Sequence, residues 1–143
     1  MPSVQLKRLR KTAVVPTYAH YDDAGFDLYA ADEVEIGAGE TKLIPLGYAM
    51  GIPEGWLVSI RPRSGMSLKT GLRVANSPGT IDSGFQNEVN VILHNTSNEK
   101  KVIMVGDRIA QGILERVNKA SFTFVEQFSP SDRGQEGLGS TGK

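Results

Sequence analysis

The sequence predicts an all-β protein, a β-sandwich or barrel. Three observations carry this. Short runs rich in β-branched and other apolar residues recur along the chain, and turn-forming residues separate them at close intervals. Only residues 64–70 have the composition and spacing of a helix, one that lasts roughly two turns. A sheet must bury one face, so many short strands with frequent turns pack as two layers or close into a barrel.

The elements follow in order. Residues 4–10 form a first strand in which Leu6 and Leu9 alternate with Lys7, Arg8, Arg10 and Lys11, so the basic run is its solvated face. Ala24-Gly25-Phe26-Asp27-Leu28 reads as a strand with an acid between apolar residues. Such an acid must be exposed, paired or functional, because burying it alone is unfavourable. Residues 33–36, 41–50 and 56–61 are strands divided by Gly37-Ala38-Gly39 and Pro53-Glu54-Gly55. After the helix, residues 76–88 read as a hairpin-like stretch. In residues 88–95, Val89, Val91 and Leu93 make one apolar face, while Asn90, Ile92 and His94 make a mixed one. A mixed face suits a strand that abuts another sheet or subunit. A turn at residues 95–98 leads to strands at 101–105 and 108–117, divided by Gly106-Asp107. From residue 129 to residue 143 almost nothing is apolar, so this segment cannot offset its ordering entropy and is expected to move freely without a ligand. The chain is thus expected to be one β domain, residues 1–128, and a flexible arm, residues 129–143, with no repeat or interdomain linker.

Composition narrows the function classes. A chain of 143 residues, 39% hydrophobic and 22% charged, fits one soluble globular domain. No apolar run approaches the roughly 20 residues of a membrane helix, and no signal-type segment follows the basic start. A cytoplasmic location without a membrane partner is the default expectation. The absence of cysteine excludes disulfides and thiolate metal sites, and two isolated histidines argue against zinc. Sixteen basic residues balance sixteen acidic ones, which argues against a nucleic-acid partner. A nucleotide needs only a few well-placed cations.

Five segments carry chemistry. The first holds Asp27. The second, Arg61-Pro62-Arg63-Ser64-Gly65, enters the helix; a serine hydroxyl beside free backbone N–H groups, with a forked guanidinium, suits phosphate oxygens, and equally suits a simple cap with an ion pair. The third runs from Asn76 through Ser77, Pro78, Gly79, Thr80, Ile81, Asp82 and Phe85 to Glu88. Its backbone could pair with the edge of a flat base, although turn chemistry explains its Gly, Pro and Asn as well. The fourth is Gly106-Asp107-Arg108-Ile109-Ala110-Gln111, with Gln111 as a neutral donor. The fifth is the glycine-rich tail, residues 133–142, whose amides could converge on an anion beside Ser140 and Thr141. It lacks the Lys-Ser/Thr ending and following helix of a P-loop.

Taken together and in this order, the five segments resemble the motifs of the trimeric deoxyuridine triphosphatase (dUTPase) family from end to end. The resemblance implies a jelly-roll-like subunit, a homotrimer with active sites shared between subunits, and hydrolysis of dUTP to dUMP and pyrophosphate. That reaction keeps uracil out of DNA and supplies dUMP for dTMP synthesis. In relatives the third motif comes from one subunit, the first, second and fourth from another, and the tail from a third.

By this resemblance Asp82 would bind the sugar 3′-hydroxyl and orient or deprotonate the water that attacks the α-phosphorus. Asp27 would hold, through water, a Mg2+ ion carried on the phosphates. Arg63, Ser64, Gly65 and Gln111 would bind the phosphates. Asn76, Gly79, Thr80, Ile81 and Phe85 would form the uracil and deoxyribose pocket. Arg133, Leu138, Gly139 and Ser140 of the tail would close over it. Three positions depart from the family pattern. Phe85 replaces the usual tyrosine beneath the sugar, Leu138 replaces a stacking aromatic, and Asn87 replaces a glycine and is expected to hold a positive φ at some strain. Two alternatives are dCTP deaminase, whose strand after the third motif needs an interior glutamate absent here, and a regulatory dUTP-binding protein that contacts a partner.

Overall fold

Residues 44–50 are buried without a break, which no strand with one wet face can be. They belong to the longest strand, and they explain how the layers stack. The structure, a computed structural model, describes residues 1–142. Lys143, the last residue of the expected arm, lies outside the described residues.

Ten strands and one helix follow in chain order: β1 (Gln5–Arg8), β2 (Phe26–Tyr29), β3 (Val34–Ile36), β4 (Thr41–Gly51), β5 (Trp56–Arg61), α1 (Ser64–Thr70), β6 (Leu72–Val74), β7 (Gly79–Asp82), β8 (Glu88–Asn95), β9 (Lys101–Ile103) and β10 (Arg108–Arg116). One four-stranded sheet has the order β1-β4-β8-β6, a second β2-β10-β5-β7, and β3 pairs with β9. All pairings are antiparallel. The apolar face of β8, namely Val89, Val91 and Leu93, is buried as its alternation requires, and meets Leu28, Ile44, Leu46, Val58 and Ile109 in one core. The expected sandwich is therefore present, and the single helix has the expected bounds.

The continuous burial of β4 has a local cause. Its pairing with β8 slips between Pro45 and Ala49, and Gly47 sits inside the slip at φ +82°. Only glycine takes that backbone readily, and a Cβ there would stand 2.9 Å from those of Ala13 and Ala31. The segment after β1 lies over this bulge, with the N–H groups of Leu9 and Arg10 donating to the Gly47 carbonyl at 2.8 and 3.1 Å. Segment 9–13 thereby covers the outer face that β4 would otherwise show to water.

The turn after β8 is organised by Asn95, which is fully buried. Its Nδ2 donates to the carbonyls of Ile36 at 2.9 Å and Glu99 at 2.8 Å, and its Oδ1 accepts from Ser97. A buried amide with every group paired ties the end of β8 to β3 and to the turn that precedes β9. The last strand ends at Arg116, and every described residue from 118 onward is exposed. Among the described residues no helix is long and apolar enough to cross a membrane.

Candidate active site

Asp27 lies in β2 between the buried Phe26 and Leu28, and its side chain is 15% exposed. Two guanidiniums compensate it: Arg63 Nε stands 3.2 Å from Oδ1 and Arg108 Nη1 3.8 Å from Oδ2. Arg63 comes from the junction of β5 and α1, where it holds the helix N-cap position with extended backbone and no capping side-chain bond. Ser64 therefore begins the helix but does not cap it, because Arg63 takes the cap position and turns its side chain to Asp27. The groove around these groups, about 380 Å3, is lined by Gly25, Asp27, Arg63, Ser64, Gly65 and Gln111, with Arg108 and Asp23 beside them.

Arg108 and Gln111 share this groove because β10 is irregular. Residues three apart on a regular strand point to opposite faces. The pairing of β10 with β2 shifts between Arg108 and Ala110, and Ile109 and Ala110 are both buried in succession. The bulge turns Arg108 to the side of Gln111. Gln111 in turn donates from Nε2 to the Pro62 carbonyl at 3.0 Å, and its Oε1 occupies the space a Cβ on Gly25 would need. Gly25 is thus the residue that lets the amide lie flat across the groove floor.

A second groove, about 190 Å3, lies along β7 and the start of β8. Asn76, Gly79, Thr80, Ile81, Phe85 and Glu88 line it. β7 is the edge strand of its sheet and pairs only with β5, so one row of its backbone groups faces outward. A Cβ on Gly79 would stand 3.2 Å from Asn76 Nδ2, so glycine lets that amide close over the strand. Asp82 ends β7 with its side chain exposed, and the Phe85 N–H donates to the Asp82 carbonyl at 3.1 Å to turn the chain. Phe85 is 41% exposed at the groove wall. Asn87 does not hold the positive φ expected of it: every described residue with positive φ is a glycine. The turn already closes between Asp82 and Phe85, so no left-handed residue is needed further on.

The structure thus gathers Asp27, Arg63, Ser64, Gly65 and Gln111 in one groove and Asn76, Gly79, Thr80, Ile81 and Phe85 in another. It brings the tail to neither. Arg133, Leu138, Gly139 and Ser140 are exposed, and Arg133 donates to the carbonyls of Glu136 at 2.9 Å and Gly137 at 3.0 Å within the tail itself. Arg108 was missed as a site residue. Its motif is visible in the sequence, but nothing there shows the bulge that brings it to the side of Gln111. Glu88, the end of the third segment, lines the second groove beside Phe85.

The first groove has the chemistry of a polyanion site: two guanidiniums, a hydroxyl and an amide around Asp27, with Asp23 as a second acid at its side. Asp27 suits a magnesium ion held through its water molecules. Among the described residues no three acids or histidines cluster as a metal cage. The second groove suits a flat base read by backbone. A strand edge that can read a base and a groove that can hold a polyphosphate are the two halves of a nucleoside triphosphate site.

The dUTPase family model matches residues 11–142. A deoxyuridine 5′-triphosphate nucleotidohydrolase of Nautilia profundicola is 45% identical over 140 residues, covering 98% of this chain and 99% of that one. Among solved structures, a tyrosine-to-phenylalanine variant of the Staphylococcus bacteriophage 80alpha dUTPase with dUpNHpp is 30% identical. It superposes with a TM-score of 0.87 over 99% of both chains. A variant dUTPase of the S. aureus phage phi11, described as revealing the coordination of a structural Mg(II) ion, is 26% identical. Its TM-score is 0.81 over 88% of this chain and 98% of that one. The chain belongs to the dUTPase family.

Proposed function

We propose that the chain hydrolyses dUTP to dUMP and pyrophosphate, with water attacking the α-phosphorus. The observation that carries this reading is the free edge of β7, which sets base-reading backbone and the Asp82 carboxylate on one strand. Uracil offers acceptor, donor and acceptor along its pairing edge. A strand edge of fixed N–H and C=O groups can match that order and leave cytosine's amino group mismatched. Asp82 accepts hydrogen bonds through two oxygens, so it can hold the sugar 3′-hydroxyl and take a proton from the attacking water. Phe85 fills the space a ribose 2′-hydroxyl would need. A phage relative with phenylalanine in place of a tyrosine still carries dUpNHpp, which supports ligand binding without that phenol.

Arg63, Ser64, Gly65 and Gln111 bind phosphate oxygens, and Arg108 adds a second guanidinium beside Arg63. Asp27 would hold Mg2+ through water, and the ion when bound would supply neutralisation of phosphate charge. The two arginines that now compensate Asp27 then turn toward the phosphates. Residues 129–143 act as an arm: Arg133, Leu138, Gly139 and Ser140 close over the nucleotide and exclude water.

The register supports sites shared between copies in a homotrimer. Asp27 pairs with Gln111 and Gln111 with Arg61, while Asp82 pairs with Leu57, four residues further along β5. Three strand spacings across and four residues along separate Asp27 from Asp82 by about 20 Å. Both must act within a few ångströms of one triphosphate, so the Asp82 that works with this Asp27 belongs to a second copy. The chain carries no membrane helix among its described residues, and a cytoplasmic location fits the reaction.

Pyrophosphate release from dUTP, dCTP, dTTP and UTP tests the function. dUTP is expected to lead in kcat/KM by at least about a hundredfold. Comparable turnover of UTP would show that Phe85 does not guard the sugar.

A further inference from the structure

Arg10 lies one residue before the span matched by the family model and touches neither groove directly. It nevertheless makes a forked contact with Glu88, the one acid among the described residues that line the second groove. Its Nε donates to Glu88 Oε2 at 2.7 Å and its Nη2 to Glu88 Oε1 at 3.2 Å, across 78 residues of sequence. Asp32 stands 3.8 Å from its Nη1. Two backbone bonds to the bulge carbonyl of Gly47 fix the approach of segment 9–10, and Glu88 pairs with Ala49 just beyond that bulge. The Glu88 side chain is 23% exposed and lines the groove beside Phe85 and Asn76.

An uncompensated carboxylate there, in addition to the exposed Asp82, raises the negative charge that an incoming nucleotide meets. A nucleoside triphosphate brings several negative charges, and a fixed anion at its binding groove repels them over a distance comparable to the Debye length. We propose that Arg10 is a positioning residue that offsets the Glu88 charge, holding the carboxylate in a forked ion pair so that the groove admits an anionic nucleotide. The inference rests on the reading of the β7 groove as the base site. Arg10 acts through Glu88 and does not contact the nucleotide.

A charge series at two salt concentrations tests it. Arg10→Ala is expected to raise KM for dUTP by about threefold to tenfold at low salt and far less near 0.5 M salt, where screening removes the repulsion. Glu88→Gln alone is expected to lower KM at low salt, since it removes the charge that Arg10 offsets. Arg10→Ala combined with Glu88→Gln is expected to restore the wild-type value, and Arg10→Lys to keep most of it. Thermal melting of each variant checks that the fold is kept. If the pair merely tethers two loops, both single variants raise KM alike, salt makes no difference and the double variant does not recover. That pattern overturns the proposal. Wild-type preference for dUTP over dCTP judges the groove reading separately, and direct titration with dUMP shows whether the variants alter binding itself.

Discussion

Asp82 illustrates what one side chain is asked to do. It stands at the exposed end of a four-residue strand, with its backbone carbonyl accepting from the Phe85 N–H and its side chain exposed, and the proposed reaction brings substrate and water to that carboxylate. Asp82→Asn keeps the shape and removes the proton acceptor, so kcat is expected to fall by roughly 10²- to 10⁴-fold while dUTP analogue binding persists. Single-turnover kinetics with a parallel binding titration would show it, and retention of more than about a tenth of the rate would reject the water-orienting role. At this scale the sequence was informative about residue type and less so about direction. Asp27 was legible as an acid that apolar neighbours oblige to find partners, and its partners are Arg63 and Arg108. Arg108 was not legible, since its side depends on one bulged residue that no periodicity reveals. The strain expected at Asn87 is absent because the turn closes elsewhere.

Among the elements, β4 holds the clearest energetic anomaly. Its bulge at Gly47 lets the strand be covered on both faces, and Tyr48 beside the bulge is 2% exposed with no partner for its hydroxyl among the described residues. Burial pushes the Tyr48 pKa up from its ordinary value, because the phenolate would be desolvated. The folded state therefore favours the neutral phenol. Its contribution to stability is complete below the unfolded value of about 10 and is lost progressively as pH rises above it. Tyr48→Phe removes both the orphan hydroxyl and this titration. Its stability at pH 7 is expected to match the wild type or exceed it by up to about 1 kcal/mol. Its loss of stability between about pH 9 and 11 should be smaller than the wild type's. Urea midpoints at the two ends of that range measure both, and a clear destabilisation at pH 7 would mean that the hydroxyl is satisfied in solution. The strands and helix themselves were mostly legible: β5, β8 and α1 have the expected bounds, because alternation and turn residues are local signals. The short strands β6 and β7 were harder, since three or four residues carry too little periodicity and are fixed by pairing with β8 and β5.

For the whole molecule, a single chain leaves much unfinished. Its two half-sites lie about 20 Å apart by register, its tail touches neither, and Phe122, Phe124 and Phe128 stand in water before the tail begins. Apolar side chains so exposed call for a cover, and further copies of the chain can supply it together with the missing parts of each site. None of this follows from local patterning: in the proposed reading, what completes the site lies on another copy of the chain. The consequence is measurable by mixing two defective proteins. An Asp82→Asn chain lacks the base but carries the arm; a chain truncated before Arg133 carries Asp82 but lacks the arm. If Asp82 and the arm of one site come from different subunits, random exchange in equal amounts makes about a quarter of the sites whole. Activity after refolding the mixture is then expected to approach that fraction of wild type, whereas the separate proteins stay near their own low rates. Sedimentation should give a trimer for each parent and for the mixture. A stable monomer, or no recovery after labelled subunits are shown to have exchanged, would mean that Asp82 and the arm act within one chain, and the register argument for shared sites would fall with it.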